Sequence, residues 1–436
     1  MLDVKQGLLS QPYSSLALQS DSRPSNPSER PLHILLLSPT HCQMGGADRD
    51  WITLANALGP KEVRISWGGS QGSECLRPYI DDEVLANLFD LELPWFTYLI
   101  QENAYEPRSR WLWTKILADH LLQLRRPLRK LSRTMKDIPI DVVVSNTAAV
   151  TLGAVYAGMR GLPHVWSVKE CLDPSVTACR RFAKWIVRMS SAAIVPSSSA
   201  AIPFGDAAHI LPDGSDVKGI RLIAQRSSRA EILSRLGLPF ELPVVAQIGG
   251  IVFWKGQQIT AEAFLRLSAR SSVPSFSLLF LGGGSDVHRQ NIERTLSKAP
   301  SQWRDLVRFV RFEPGDFSYL SAADIVVHPS VLPDPYPNAV REAMILGKPV
   351  IASRGGGITD MINDGENGIL FEPGNAEQMA TALTELIGSA GERCRLGQAA
   401  YSFAGEHFSI DFRKQAFITL LRGLVLSRRA ATAARG

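Results

Sequence analysis

Two acids and a lysine carry the strongest chemical signal in this sequence. Asp334 lies in the run Pro333-Asp334-Pro335-Tyr336-Pro337, where alternating prolines forbid regular structure. Glu342 follows after seven intervening residues. Ala339, Val340, Ala343 and Met344 form an apolar stripe around it, which predicts a helix from about Asn338. Ile325–His328, ahead of the loop, is a short β-branched run suited to a buried strand. Open α/β sheets bind ligands at the carboxyl ends of such strands. The first-turn amides of a helix placed there suit a phosphate. A carboxylate one turn further in can accept hydrogen bonds from sugar or ribose hydroxyls. Lys255 stands on a second loop of this kind, in Gly249-Gly250-Ile251-Val252-Phe253-Trp254-Lys255-Gly256, and offers a diphosphate a mobile point charge. The same residues also read as an ordinary βαβ unit with two solvated acids and a surface lysine. Spacing alone does not separate these readings.

The stretch from Asp324 to Phe371 resembles the C-terminal domain of the retaining, nucleotide-sugar-dependent glycosyltransferases of family four, the group-one glycosyltransferases with the GT-B fold. The resemblance rests on Glu342-Ala343-Met344, Gly347-Lys348-Pro349-Val350-Ile351-Ala352-Ser353, Gly355-Gly356-Gly357 and Asn367-Gly368-Ile369-Leu370-Phe371. Met44-Gly45-Gly46-Ala47-Asp48 matches a further family run near the N-terminus, and Lys255-Gly256 another. The resemblance implies two Rossmann-like domains facing across a cleft. It implies transfer of a sugar from a nucleoside-diphosphate donor to a glycan or lipid-linked acceptor hydroxyl, without metal and without a cofactor beyond the donor itself. Lys255, Asp334 and Glu342 would be catalytic. Gly45, Gly46, Gly250, Ile251, Gly283, Asn338 and Ala339 would bind the donor.

The chain departs from the family pattern at four places. The first acid is Asp334 rather than Glu. Gly250 replaces an arginine, Ser167 a cleft histidine, and Pro337 a frequent glycine. Arg354 and Lys348 are candidate substitutes for the missing cation. The alternative function is a nucleotide-sugar-binding or regulatory protein built on the same shell, with impaired chemistry.

The elements that must position these residues follow from the rest of the chain. At 436 residues it exceeds one ordinary core, so two domains plus tails are expected. The pattern predicts an α/β architecture: a disordered tail 1–30, a Rossmann-like acceptor domain 31–205, a linker 206–242, and a nucleotide-sugar-binding domain 243–405. A closing helix 406–425 then crosses back to the first domain, and 426–436 form a mobile tail. A strand, the Gly45-Gly46 loop and a helix carrying Trp51, Leu54, Ala55 and Leu58 open the first domain.

Hydrophobic content of 45%, charged content of 20% and a net charge of +5 are those of a globular protein and give no reason to expect a nucleic-acid partner. Five scattered cysteines fit a reducing cytoplasm rather than a disulfide framework or zinc site. Asp81-Asp82-Glu83 reads as a solvated turn rather than a metal site. Residues 111–137 predict one long helix kinked at Pro127, with aromatic and leucine residues interleaved among arginines and lysines. Such a helix suits a peripheral contact with an anionic membrane face, or simple packing with a solvated basic side. Gly282-Gly283-Gly284-Ser285 does not fit a dinucleotide fingerprint.

Overall fold

Short runs rich in valine, leucine and isoleucine, punctuated by glycine and proline, become two fully parallel sheets. The computed structural model describes residues 30–40, 45–99, 109–311 and 315–434. The expected tail 1–30, apart from its last residue, lies outside the described residues, as do Cys42 and Met44.

The first lobe has strands β1 (Leu32–Leu37), β2 (Val63–Gly69), β3 (Leu85–Asp90), β4 (Val142–Asn146), β5 (His164–Ser167), β6 (Ala192–Val195) and β7 (Ala208–Ile210). Their order across the sheet is β3-β2-β1-β4-β5-β6-β7. The second lobe has β8 (Val244–Ile248), β9 (Ser277–Leu281), β10 (Val307–Val310), β11 (Ile325–His328), β12 (Val350–Ser353) and β13 (Ile369–Phe371), ordered β10-β9-β8-β11-β12-β13. In each sheet the strand order reverses beside the first strand, between β1 and β4 and between β8 and β11. A crevice opens at each reversal, because the connections leave in opposite directions.

The two lobes have separate cores. Ile34, Leu36, Val142 and Val165 pack with the Gly46–Leu58 helix in the first. Val244, Leu279, Val326 and Val350 pack with the Asn338–Ile345 helix in the second. The last helix, Ile410–Ala433, returns to the first lobe and inserts Phe417, Ile418 and Leu421 into its core. Phe417 meets Trp51 edge-to-face, with ring centroids 5.3 Å apart.

Three boundaries differ from expectation. The segment 206–242 is not a free linker. Ala208–Ile210 pairs with β6 and closes the first sheet, while Ile220, Ala224 and Leu233 of the two following helices are buried in the second core. The segment 426–436 is not a loose tail, since helix continues to Ala433. Alanines 430, 431 and 433 favour it, and Arg429 pairs with Asp141 at 3.5 Å. The basic stretch is two helices, Arg110–Gln123 and Arg125–Thr134, rather than one. Pro127 lacks an amide and its ring collides with the carbonyl four residues back, so the chain breaks at Leu124 instead of bending at the proline. Asp81, Asp82 and Glu83 are exposed, and Asp81 accepts the Glu83 amide at 2.9 Å in a local turn.

Candidate active site

The second crevice holds the chemistry. Lys255 follows β8 and Asp334 follows β11, so the two flank the strand-order reversal. Lys255 Nζ donates to Asp334 Oδ2 at 2.5 Å and lies 4.1 Å above the Trp254 ring. His328, the last residue of β11, places Nε2 3.3 Å from the same carboxylate oxygen. Burial alone would raise Asp334, but the Lys255 ammonium and the His328 hydrogen bond outweigh it and hold the carboxyl well below its usual range. Burial, aided by the Lys255 charge, lowers His328 and keeps it neutral at pH 7.

Glycines brace both loops. A Cβ on Gly256 would lie 1.9 Å from the Pro329 carbonyl, and Gly256 sits at φ +69°. Gly356, at φ +61°, would bring a Cβ to 2.1 Å from the Asp334 carbonyl, and the Gly357 amide donates to that carbonyl at 2.8 Å. The Gly-rich turn after β12 is thus a backstop for the acidic loop, and only glycine fits there.

The Asn338 helix leads away from this point. Its first-turn amides have no carbonyl four residues earlier within the helix, and Pro337 at its cap has none to donate. One turn in, Glu342 is buried and ion-paired with Arg49 from the first lobe. Arg49 belongs to the first turn of the Gly46 helix. The Gly46 carbonyl accepts from the Asn338 side-chain amide at 3.5 Å, so the two helices present their N-termini to one another.

Lys255, Asp334 and Glu342 line one cleft of about 1100 Å³ between the lobes, together with Gly45, Gly46, Gly250, Ile251, Gly283, Asn338 and Ala339. All ten residues singled out from the sequence are therefore in one place. Two details are corrected. The Ile251 amide is already donated to the Gly283 carbonyl at 2.8 Å, because β8 and β9 extend their pairing into the glycine loops, so it is not free for a phosphate. Neither proposed substitute cation reaches the cleft. Lys348 donates to the Ser321 carbonyl at 2.7 Å, and Arg354 pairs with Asp364 at 2.6 Å on the surface. The cations that do line the cleft are Arg49, Lys169, Lys255, Arg289 and Arg311.

At the wall of the same cleft lies a buried charge cluster that sequence reading missed. Arg341 Nη2 donates to Asp50 Oδ1 at 2.7 Å and Nε to Ser215 Oγ at 2.8 Å. Asp213 is ion-paired with both Lys169 and Arg413. Burial raises Asp50, reinforced by Asp213 and opposed by Arg341. Asp213 goes the other way: the surrounding cations overcome burial and hold it ionised. Five charges from distant parts of the chain meet here, and no local spacing announces them. Arg49 and His328 were more accessible to inspection, since one directly follows the Met44–Asp48 run and the other ends a strand at the reversal.

The first-lobe crevice is wired differently. Asp48 Oδ1 accepts from Ser38 Oγ at 2.6 Å and from Thr40 Oγ1 at 2.9 Å, and Oδ2 accepts the Gly45 amide at 3.3 Å. Asn146, at the end of β4, donates to Ser38 Oγ at 2.9 Å. Ser167 is buried at the end of β5 and takes no place in the cleft lining. His164 is a core residue bonded to Ser145 Oγ at 3.0 Å, and burial lowers its pKa to about 4.

Comparison with known proteins fits this geometry. The fold is GT-B: Anabaena HepE, solved in complex with UDP-glucose, superimposes with a TM-score of 0.72 at 20% identity, over 89% of this chain and 99% of that one. Residues 242–389 match the family described as glycosyl transferases group 1. That match takes in all six strands of the second sheet. A lipopolysaccharide core biosynthesis glycosyltransferase, LpsE of Rhizobium meliloti, is 28% identical over 206 residues, 46% of this chain and 57% of its own length. A D-inositol 3-phosphate glycosyltransferase of Corynebacterium kroppenstedtii is 31% identical over 188 residues, 41% of this chain and 40% of its own. The chain thus spans about half the length of the curated relatives it matches.

Proposed function

We propose that the protein is a retaining glycosyltransferase that moves a sugar from a nucleoside diphosphate to a hydroxyl of a glycan or lipid-linked acceptor. The observation that carries this reading is the convergence of Lys255, Asp334 and Glu342 with a helix N-terminus at the strand-order reversal of the second lobe. Glu342 accepts from the ribose hydroxyls. Asp334, held ionised, accepts from hydroxyls of the donor sugar. Lys255 and the amides of Asn338 and Ala339 stabilise the charge that grows on the diphosphate as its bond to the anomeric carbon breaks. The acceptor oxygen bonds to that carbon from the same face, and its proton passes to the departing phosphate oxygen. The residues act without a metal or a further cofactor in this scheme. The cleft walls exclude water as the lobes approach.

Membrane contact belongs to the same proposal. Trp111, Leu117, Leu121 and Leu122 are exposed on the Arg110 helix, beside exposed Arg125, Arg126, Arg129 and Lys130 on the next. Apolar side chains flanked by cations suit peripheral binding to an anionic lipid face, where a lipid-linked acceptor is presented. Among the described residues no helix is long and apolar enough to cross a membrane.

Thermal-shift titration with UDP-, GDP-, ADP- and dTDP-sugars tests the donor reading, followed by assay of donor consumption. Stabilisation by one nucleotide class and slow donor hydrolysis or transfer are expected. Glu342→Ala should abolish the stabilisation and reduce turnover by roughly 10²-fold or more, with the fold retained. Stabilisation without turnover across acceptors would favour the binding-protein alternative. Absence of any shift would refute the donor site.

A further inference from the structure

Asp334 is held at one oxygen only. Lys255 Nζ and His328 Nε2 both reach Oδ2, at 2.5 and 3.3 Å. Among the described residues no partner takes Oδ1, and Asp334 lines the cleft, so this second oxygen is the one offered to the cavity. The backbone beneath is pinned as well, since the Gly357 amide donates to the Asp334 carbonyl at 2.8 Å. His328 is equally fixed. It is buried at the end of β11, and its Nε2 also lies 3.0 Å from Ser330 Oγ. The Ser330 carbonyl in turn accepts from Ser353 Oγ at 2.6 Å. A run of buried contacts thus leads from the end of β12, through Ser330 and His328, to a single oxygen of Asp334. An ionised carboxylate only accepts hydrogen bonds. Nε2 therefore carries the ring hydrogen, and Ser330 Oγ shares it as a second acceptor.

We propose that His328 is a positioning residue for recognition of the donor sugar: it holds Oδ2 of Asp334 so that Oδ1 accepts from one sugar hydroxyl. The inference rests on the reading of Asp334 given above. The last torsion of an aspartate side chain is soft, so the carboxylate needs an external reference to point one oxygen in a set direction. Lys255 does not supply it. Its ammonium sits on a flexible four-carbon stem and follows the carboxylate wherever that turns. The His328 ring, set in a strand end and braced by Ser330, does not follow. His328 is absent from the cleft lining, so it acts on the sugar through Asp334 alone. Removing its N–H leaves Lys255, Glu342 and the amides of Asn338 and Ala339 in place for the nucleotide and its diphosphate. Only the contact with the sugar is loosened.

A positioning role predicts different outcomes for two ligands that differ only in the sugar. The full chain is titrated by calorimetry with UDP and UDP-glucose, GDP and GDP-mannose, and ADP and ADP-glucose. The pair that binds wild type best is then used with two variants. His328→Phe has no ring hydrogen to donate. His328→Gln places a side-chain amide near the position of Nε2. In the phenylalanine variant the sugar nucleotide should bind roughly five- to tenfold more weakly, because a hydrogen bond to a charged acceptor is misaligned, while the diphosphate stays within about twofold of wild type. The glutamine variant should bind both ligands within about twofold of wild type. His328→Leu, which also lacks the donor, carries the test if the phenylalanine variant does not fold. Monodeoxy sugar nucleotides then count the hydroxyls that Asp334 reads. One deoxygenation that weakens binding to wild type should have no further effect in the phenylalanine variant. Two such positions would mean that both carboxylate oxygens face the sugar, and would overturn the inference. Equal weakening of diphosphate and sugar nucleotide would mean that His328 serves only the fold. That result, an unchanged sugar nucleotide, or a glutamine variant as weak as the phenylalanine one overturns the inference and leaves the donor reading standing. If wild type binds none of the diphosphates, the donor reading falls and this inference with it.

Discussion

The two lobes repeat one topology and use its crevice in opposite ways. At the β8/β11 reversal the buried acid, Asp334, is balanced by Lys255 on the cleft wall. At the β1/β4 reversal the buried acid, Asp48, is occupied by two hydroxyls and a backbone amide of its own loop. In the first arrangement charge is kept at the surface of a cavity, where a ligand can compete for it. In the second it is spent inside the wall and fixes the shape of the Gly45-Gly46 loop. The topology offers a binding site twice. Which side chains close the crevice decides whether it reads as chemistry or as scaffolding.

Two substitutions can break this contrast. Lys255→Ala carries the largest expected effect, a loss of turnover of roughly 10²–10³-fold, because it removes the charge facing the leaving diphosphate. The fold should survive, since His328 still contacts Asp334. Circular dichroism together with donor-consumption rates checks this. Near-normal turnover would mean that Lys255 serves only to neutralise Asp334. Asp48→Ala should do the converse. It leaves the Ser38 and Thr40 hydroxyls and the Gly45 amide without their acceptor, and costs about 1–3 kcal/mol of stability, read by urea unfolding. Its effect on turnover should be smaller than that of Lys255→Ala. If Asp48→Ala instead abolishes activity in a fully stable protein, the first crevice has a chemical role and the contrast fails.

The same difference explains what the sequence made legible. The second-lobe site is built from short, contiguous pieces, each a strand end, a glycine turn and a helix start. Spacing therefore brings Asp334, Glu342 and Asn338 close before any tertiary contact is known. Lys255 needed only one strand pairing more. What escaped reading depends on pairings across the whole chain: Arg341 with Asp50, Lys169 and Arg413 with Asp213, and β7 added to the first sheet. The break at Leu124 was visible as Pro127 but misplaced, because the proline's steric conflict falls on the preceding turn. Strand β3, only partly buried, has no clean alternation to reveal it.

A third measurement sharpens the comparison through the sign of a pH dependence, and it has the smallest expected effect. Glu170 follows β5, and its Oε2 accepts the Ala148 amide at 2.8 Å and the Lys169 amide at 2.9 Å. These bonds brace a turn in which Thr147 sits at φ +74°, an unfavourable conformation for a β-branched residue. Burial nevertheless pushes the Glu170 carboxyl up to about 7 from a usual value of 4.5, against the pull of those amides. The folded protein therefore binds this proton more tightly than the unfolded chain. Its contribution is fully present below about pH 4.5 and is lost as pH rises to about 7. Asp334 has the opposite sign, because its folded pKa is depressed. Its contribution is lost only as pH falls below the usual value of 3.8, so it is constant between pH 5 and 8. Glu170→Gln removes the titrating group while keeping a carbonyl acceptor. Wild-type stability minus variant stability should fall between pH 5 and 8 by on the order of 1–2 kcal/mol. His164, lowered to about 4, is common to both proteins and cancels in the difference. A flat difference, or one that rises with pH, would mean that Glu170 is held ionised like Asp334, and the two lobes would then treat their buried acids alike.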